Sequence, residues 1–448
     1  GVYRHHSEIC RHRDRPIFLM EPGSASSRPL PPAPASSPKR HKSRGGWKSW
    51  EEDRHARASL LPAGLSSLRE LMDWPLTLAA DLIDGDDSAK QKLRLMTIME
   101  QGIRAYSDYS GVDCPREALA CPTQGLAMHC GVEFKEGAVQ WVRSCDCGIV
   151  QSEVLEKIAS RCPYKCCHFE DILARLPDHA QQWIEAATPS SDMTPADREA
   201  AHQDIRAWVR ANGRTIFTRD ATSWCTVHQR QCPAHPGFCS QEVKAPANQT
   251  KMGASSSAQG SGLPSIDGLD YECKDDQEKP EPLNVTVSGL TCVGWSVEGK
   301  QESGAHESEI PLICWTEERR IWAQMGIEDV WFAECTPCFP VVDKLAKSLS
   351  DTHHVFWIVD GPELHGWPIK RSRVLMAGIS KASMRWCGPD DYQADYRQRF
   401  HKGVQLSGDV FMVAPEAEKY EEYSKIAVAR KFNVKPDDLM KMKFADVL

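Results

Sequence analysis

The chain contains no apolar run approaching the roughly 18 to 20 residues that a membrane-spanning helix requires, and its N-terminus lacks the unbroken apolar core of a secretory signal. No membrane partner is expected, and the protein is placed inside the cell. No repeat of fixed period is visible, and the 29 Gly and 29 Pro are scattered, which excludes a collagen-like or fibrous chain. Net positive charge is confined to the first 60 residues. That segment holds twelve Lys/Arg against six Asp/Glu, so the net charge of -8 for the whole chain leaves -14 on residues 61–448. A core so acidic gives no support for strong nucleic-acid affinity of its own.

What is present is cysteine. Eighteen cysteines in a chain without export signals read as thiols, metal ligands or a nucleophile rather than a disulfide framework, and the sequons at Asn248 and Asn284 then carry no meaning. A length of 448 residues with 41% hydrophobic and 26% charged residues fits one catalytic-sized core with appendages. The chain opens on Gly1 rather than Met, as a fragment or a processed chain would.

Composition divides the chain. Residues 1–60 form a Ser/Pro-rich basic tail, expected to be disordered; Lys39-Arg40-His41-Lys42-Ser43-Arg44 reads either as a nuclear-import or nucleic-acid-contacting element or as a solvated arm. Residues 61–104 carry helical spacing and are expected to supply two leading helices. Strands are expected at Ala105–Ser110, Val139–Cys145, Leu283–Ser288, Asp329–Ala333, Val355–Val359 and Val374–Gly378. Helices are expected at Pro115–Ala127, Ser152–Ser160, Asp171–Ala187, Pro195–Ala211 and from Ala333 to Leu349. The alternation predicts an α/β fold with a mostly parallel, doubly wound sheet, in two halves over 105–187 and 283–380. Residues 188–282 interrupt it as an insertion with a polar loop at Lys244–Pro282, and 381–448 form a C-terminal segment of no assigned role.

Ligands of open α/β sheets bind beyond the carboxyl ends of the strands. Ser110-Gly111 follows the first strand, Asp146 the second, and Asp171-Ile172 would supply a third edge of the same crevice. Cys292, on a Gly-flanked loop after the next strand, is either an exposed thiolate nucleophile or a small buried hydrophobe. Glu334 ends the strand after that, where aromatic neighbours would raise its pKa and make it a proton donor.

Together these residues resemble the cytosine-5 DNA methyltransferases. The turn from Gly111 to Leu119 is similar to the family's glycine turn. Thr291-Cys292 with Trp295-Ser296 and Gly299-Lys300 resembles the loop of its nucleophile, Glu334 the acid of its Glu-Asn-Val, and Gly366-Trp367-Pro368-Ile369-Lys370-Arg371-Ser372-Arg373-Val374 its Gly-Val-Pro-Gln-x-Arg-x-Arg-Val. The order is kept from Ala105 to Ser380. Asp113 and Cys114 stand where two family glycines would be, Thr291 replaces the Pro before the nucleophile, and no recognisable target-recognition part follows Ser380.

The resemblance implies a Rossmann-like fold and S-adenosylmethionine as cofactor, held by Ser110, Gly111, Asp146, Asp171 and Ile172. It implies methyl transfer to carbon 5 of cytosine in DNA, with Cys292 as nucleophile and Glu334, Arg371 and Arg373 acting on the base. A nuclear location follows, with the cytoplasm as the alternative. tRNA as substrate, a catalytically inactive binding module and a zinc-dependent interaction protein remain open.

Cys225, His228, Cys232, His235 and Cys239 place five ligand-type side chains within fifteen residues of the insertion, either a zinc site or a free-thiol loop. Cys162, Cys166, Cys167 and His168 form a second cluster that would share the metal.

Overall fold

The computed structural model describes residues 61–83, 88–111, 114–131, 137–161, 166–218, 221–235, 281–296, 302–386 and 388–408. Along the chain run α1 (Leu68–Ile83), α2 (Ser88–Gln101), β1 (Ile103–Asp108), α3 (Cys114–Cys130), β2 (Val139–Cys145), α4 (Ile149–Arg161), β3 (Cys167–Phe169), α5 (Asp178–Ala187), α6 (Pro195–Ile216), β4 (Thr222–Cys225), β5 (Arg230–Pro233), β6 (Leu283–Gly289), α7 (Glu309–Gln324), β7 (Val330–Cys335), β8 (His353–Asp360), β9 (Arg373–Ser380) and α8 (Tyr392–Phe400).

Seven strands form one sheet in the order β3-β2-β1-β6-β7-β9-β8, while β4 and β5 make a separate antiparallel pair. Neighbours from β3 to β7 run parallel, and β9 runs antiparallel to β7. A mostly parallel sheet whose order reverses beside β1 and which admits one antiparallel strand near its end is the Rossmann-like methyltransferase fold. All six expected strands are present, and β2 has its predicted bounds. No helix among the described residues is long and apolar enough to cross a membrane.

The expected helix over Asp171–Ala187 is broken. Leu176 precedes Pro177 and is extended (ψ 152°), because the proline ring disfavours helical backbone before it; a 3₁₀ turn at Leu173–Arg175 therefore stops, and α5 starts afresh at Asp178. The helix expected after β7 is confined to a π-helical turn at Val342–Ala346, beyond Pro340.

Helix α6, inside the insertion, starts at Thr194, whose side chain accepts the Asp197 N–H, with Pro195 in the first turn, where its missing N–H is harmless. Its Ile205, Val209 and Ile216 are buried at helical spacing. Gly213 lies on the same face: a Cβ there would meet the Ile321 side chain of α7 at 2.9 Å, so only glycine permits this approach without displacing Ile321. The insertion therefore joins the main core instead of hanging from it, since Ile205, Val209, Ile216, Phe217, Cys225 and Cys232 pack in one cluster with Trp315, Ile321 and Trp331.

The described chain divides into two compact units. The first comprises Pro75–Val359 and Arg373–Asp390 and holds most of the sheet; the second comprises 61–74, 360–372 and 391–408 among the described residues. In the second, buried Asp360 gathers His365 Nε2 (2.7 Å), Tyr396 Oη (2.8 Å) and His401 Nε2 (3.3 Å). Burial would raise the Asp360 pKa, but these partners outweigh it and hold the carboxyl far below its ordinary range.

Candidate active site

Parallel strands aim their carboxyl ends in one direction, so the residues following β1, β2, β3, β6 and β7 share one edge of the sheet. Because β9 is antiparallel to β7, with Cys335 opposite Val374, the start of β9 reaches that same edge. Topology thus collects Ser110, Gly111, Asp146, Asp171, Cys292, Glu334 and Arg373 from six separate stretches of sequence.

On the β1–β2–β3 side, Ser110 donates its N–H to the Cys145 carbonyl (3.0 Å), and Gly111 donates its own to Asp146 Oδ2 (2.8 Å). Gly111 has φ +56°, a left-handed conformation natural to glycine, and an added Cβ would meet nothing within 4 Å. Asp146 Oδ1 accepts the Gly148 N–H (2.9 Å), so each carboxylate oxygen is fixed by one backbone donor and keeps a lone pair for another. Asp171 Oδ1 accepts the Leu173 N–H (2.9 Å), and Ile172 beside it is buried. An open backbone turn beside an oriented acid with spare acceptor capacity can accept hydrogen bonds from the hydroxyls of a polar ligand. Asp113 lies outside the described residues.

Tyr109, which sequence reasoning missed, stands where the strand order reverses between β1 and β6. It has φ +51°, unusual for a bulky residue, and its buried hydroxyl has no hydrogen-bond partner among the described residues. Burial pushes that hydroxyl well above its ordinary pKa and keeps it protonated, a donor. Nothing in the sequence distinguishes it from an ordinary turn residue.

On the β6–β7 side, the Leu290 N–H donates to the Glu334 carbonyl (2.9 Å), which ties the start of the Cys292 loop to the end of β7. The Cys292 carbonyl accepts the N–H groups of Trp295 (2.9 Å) and Ser296 (2.7 Å), and the tight turn leaves the cysteine half-buried. Gly299 and Lys300 lie outside the described residues. Glu334 Oε1 is 2.5 Å from Arg373 Nε, with the two side chains 37% and 29% exposed. The partner of Glu334 is thus a guanidinium rather than the aromatic wall expected from sequence: Trp331 is buried, but it packs against Trp315. Cys335, next in sequence to Glu334, is buried, and burial pushes its thiol up to about 12. Arg371 is exposed and belongs to the other compact unit.

Beneath the sheet edge lies a charge network that the sequence did not announce. Asp108 Oδ2 meets Arg143 at 3.0 Å and Asp108 Oδ1 meets Arg175 at 3.4 Å; Glu318 meets Arg143 (3.2 Å), Arg175 (3.4 Å) and Arg319 (2.8 Å). All five are buried. Burial raises the pKa of both acids, but the guanidiniums outweigh it, holding Asp108 below and Glu318 well below the ordinary carboxylate range.

This network also removes His235 from the expected ligand set. Its Nδ1 lies 2.7 Å from Glu318 Oε1, and burial lowers its pKa. Cys239 lies outside the described residues, while Cys225, His228 and Cys232 converge with Cys167 of β3. Of the second sequence cluster, Cys162 lies outside the described residues, Cys166 packs with Ala105, Trp141 and Ala159, and His168 Nδ1 pairs with Ser144 Oγ (3.0 Å).

No known protein family and no curated protein matches the sequence. Among solved structures, the chain is similar to a protein described as a DNA modification methyltransferase encoded within an E. coli prophage, with 10% identity, a TM-score of 0.28, and 63% of this chain and 47% of that one covered. It is also similar to the Entamoeba histolytica methyltransferase EhMeth, with 7% identity, a TM-score of 0.30 and coverage of 64% and 55%. The chain spans about half the length of each. So distant a likeness bears no weight on function; the fold is read from strand order and direction.

Proposed function

We propose that this chain transfers a methyl group from S-adenosylmethionine to carbon 5 of cytosine in DNA. The observation that carries the reading is the Glu334–Arg373 pair, 2.5 Å apart, at the sheet edge where the Leu290 N–H ties the start of the Cys292 loop to the Glu334 carbonyl. Gly111, Asp146, Asp171 and Ile172 would hold the cofactor on the neighbouring strands. When bound, S-adenosylmethionine supplies an electrophilic methyl.

Carbon 5 of cytosine is a poor nucleophile, and the residues act to change that. The Cys292 thiolate adds to carbon 6; the ring electrons shift so that carbon 5 joins carbon 4 in a double bond and nitrogen 3 takes up a proton. Glu334 supplies that proton or a hydrogen bond at nitrogen 3, and Arg373 orients Glu334 while contacting the base oxygen. Carbon 5 is then the nucleophilic end of an enamine and takes the methyl. Loss of the carbon 5 proton to solvent, departure of the Cys292 sulfur as thiolate and return of the nitrogen 3 proton to Glu334 restore the ring. The base must leave the duplex to reach these groups. Since residues 61–448 carry a charge of -14, the basic tail is assigned the contact with phosphates.

The test is an oligonucleotide carrying 5-fluorocytosine, in which the fluorine cannot depart and the S–C6 bond persists. With cofactor, the full chain is expected to form a denaturant-resistant adduct on DNA that Cys292→Ser abolishes. An adduct on tRNA alone would transfer the reading to RNA. Calorimetry showing no cofactor binding would leave an inactive module and overturn the proposal, as would an adduct that survives in Cys292→Ser.

A further inference from the structure

The β4–β5 hairpin has four residues in each strand, too few to bury a core of its own. Its turn is tight: Gln229 has φ +52° and donates its N–H to the Cys225 carbonyl (2.9 Å), while the His228 N–H points at Cys225 Sγ (3.4 Å). The Thr226 N–H donates to the His168 carbonyl (3.1 Å), setting the hairpin against β3, the edge strand of the sheet.

At this seam His228 Nδ1 lies 3.3 Å from Cys225 Sγ, 3.4 Å from Cys167 Sγ and 3.5 Å from Cys232 Sγ. All four ligand atoms fall within 4.8 Å of one another, and the three cysteines are free thiols. One ring nitrogen offers one hydrogen or one lone pair, so hydrogen bonding accounts for a single sulfur at this distance, not three. A tetrahedral zinc ion accounts for all three. With Zn–S of about 2.3 Å and Zn–N of about 2.0–2.1 Å, the N···S edges of the tetrahedron are about 3.6 Å. The separations found here are close to that value.

We propose that Cys167, Cys225, His228 and Cys232 bind one zinc ion in a closed site that clips the insertion hairpin to β3. Four protein ligands leave no open position, which makes the ion structural rather than catalytic. Thiolate-rich, oxygen-free ligation selects zinc over magnesium or calcium. The cross-link joins chain segments on either side of α5 and α6, and it covers the exposed edge of a strand only three residues long.

Metal analysis of the full chain, purified without chelator, is expected to give one equivalent of zinc. Cobalt(II) exchange is expected to give intense thiolate-to-cobalt absorption with the visible bands of a tetrahedral site. Cys167→Ser, remote in sequence from the hairpin, should lose the metal as fully as Cys225→Ser, whereas Cys121→Ser in α3 should retain it. Because the serine variants are liable to unfold, the wild-type readings decide. Less than a tenth of an equivalent of zinc with no cobalt signature overturns the proposal, as does a disulfide between Cys167 and Cys225 found by mass spectrometry under non-reducing conditions.

Discussion

Two ion-pair systems lie in the same compact unit and differ in one respect. Glu334 and Arg373 pair at the sheet edge, 37% and 29% exposed, whereas Arg143 sits between Asp108 and Glu318 with no side-chain exposure and carboxylates on two sides. The buried system is committed to the scaffold: Arg143 also donates to the Ala234 carbonyl (2.9 Å), and Arg319 stacks on Trp322 at 4.5 Å. A group closed off from solvent cannot reach a substrate, while a partly exposed one can. Exposure, rather than charge density, separates the candidate chemistry from the scaffold.

The largest effect is expected where that commitment is greatest. Arg143→Met would leave Asp108 and Glu318 short of a buried partner and should destabilise the protein by about 3–5 kcal/mol, measured by denaturant unfolding. Stability unchanged within 1 kcal/mol would erase the distinction between the two systems. pH probes the same contrast. Asp108, Glu318 and Asp360 all have lowered folded-state pKa values, so their contribution is fully present above the ordinary carboxylate range and is lost as pH falls through the folded values. Thermal stability should therefore hold near neutrality and decline below about pH 4, and the decline should be reduced in Asp360→Asn.

Asp146→Ala is expected to weaken cofactor binding by about 1.5–3 kcal/mol, because it removes a charged acceptor and frees the turn at Gly111; calorimetry with S-adenosylmethionine reads this directly, and unchanged affinity would take Asp146 out of the site. The smallest effect on stability is expected at the exposed pair. Arg373→Ala should shift unfolding by at most about 1 kcal/mol yet lower single-turnover methyl transfer at least a hundredfold. A variant that loses stability in proportion to activity would make the pair structural after all.

The strands were legible because each is a short β-branched or aromatic run bounded by turn residues, as in Val139-Gln140-Trp141-Val142-Arg143. Helix α7 was not. It buries Glu317, Glu318 and Arg319 alongside Ile313, Trp315 and Trp322, so the polar stripe that marks a surface helix is missing. The same burial hid the role of His235, whose spacing from Cys232 resembles a ligand's but whose partner, Glu318, lies 83 residues away. Cys292 and Glu334 were read from strand ends and Arg373 from the resemblance at 366–374, but the pairing of Glu334 with Arg373 depends on the antiparallel register of β7 and β9, which no local pattern states. Cys167 was half-legible: its cluster was visible, but its pairing with the hairpin depends on a three-residue strand too short to recognise.

The sheet's central pairing has a consequence for how the chain acquires its fold. Strand β1 is flanked by β2 and β6, and Tyr106 donates its hydroxyl to Asn284 Oδ1 across 178 residues of sequence. During synthesis β1, β2 and β3 emerge long before β6, so one side of β1 stays unpaired while the whole insertion is made. A contact of such long range is late and slow to form. Until it forms, a strand that ends almost wholly buried offers a ready template for the wrong partner, and refolding yield should fall steeply as protein concentration rises.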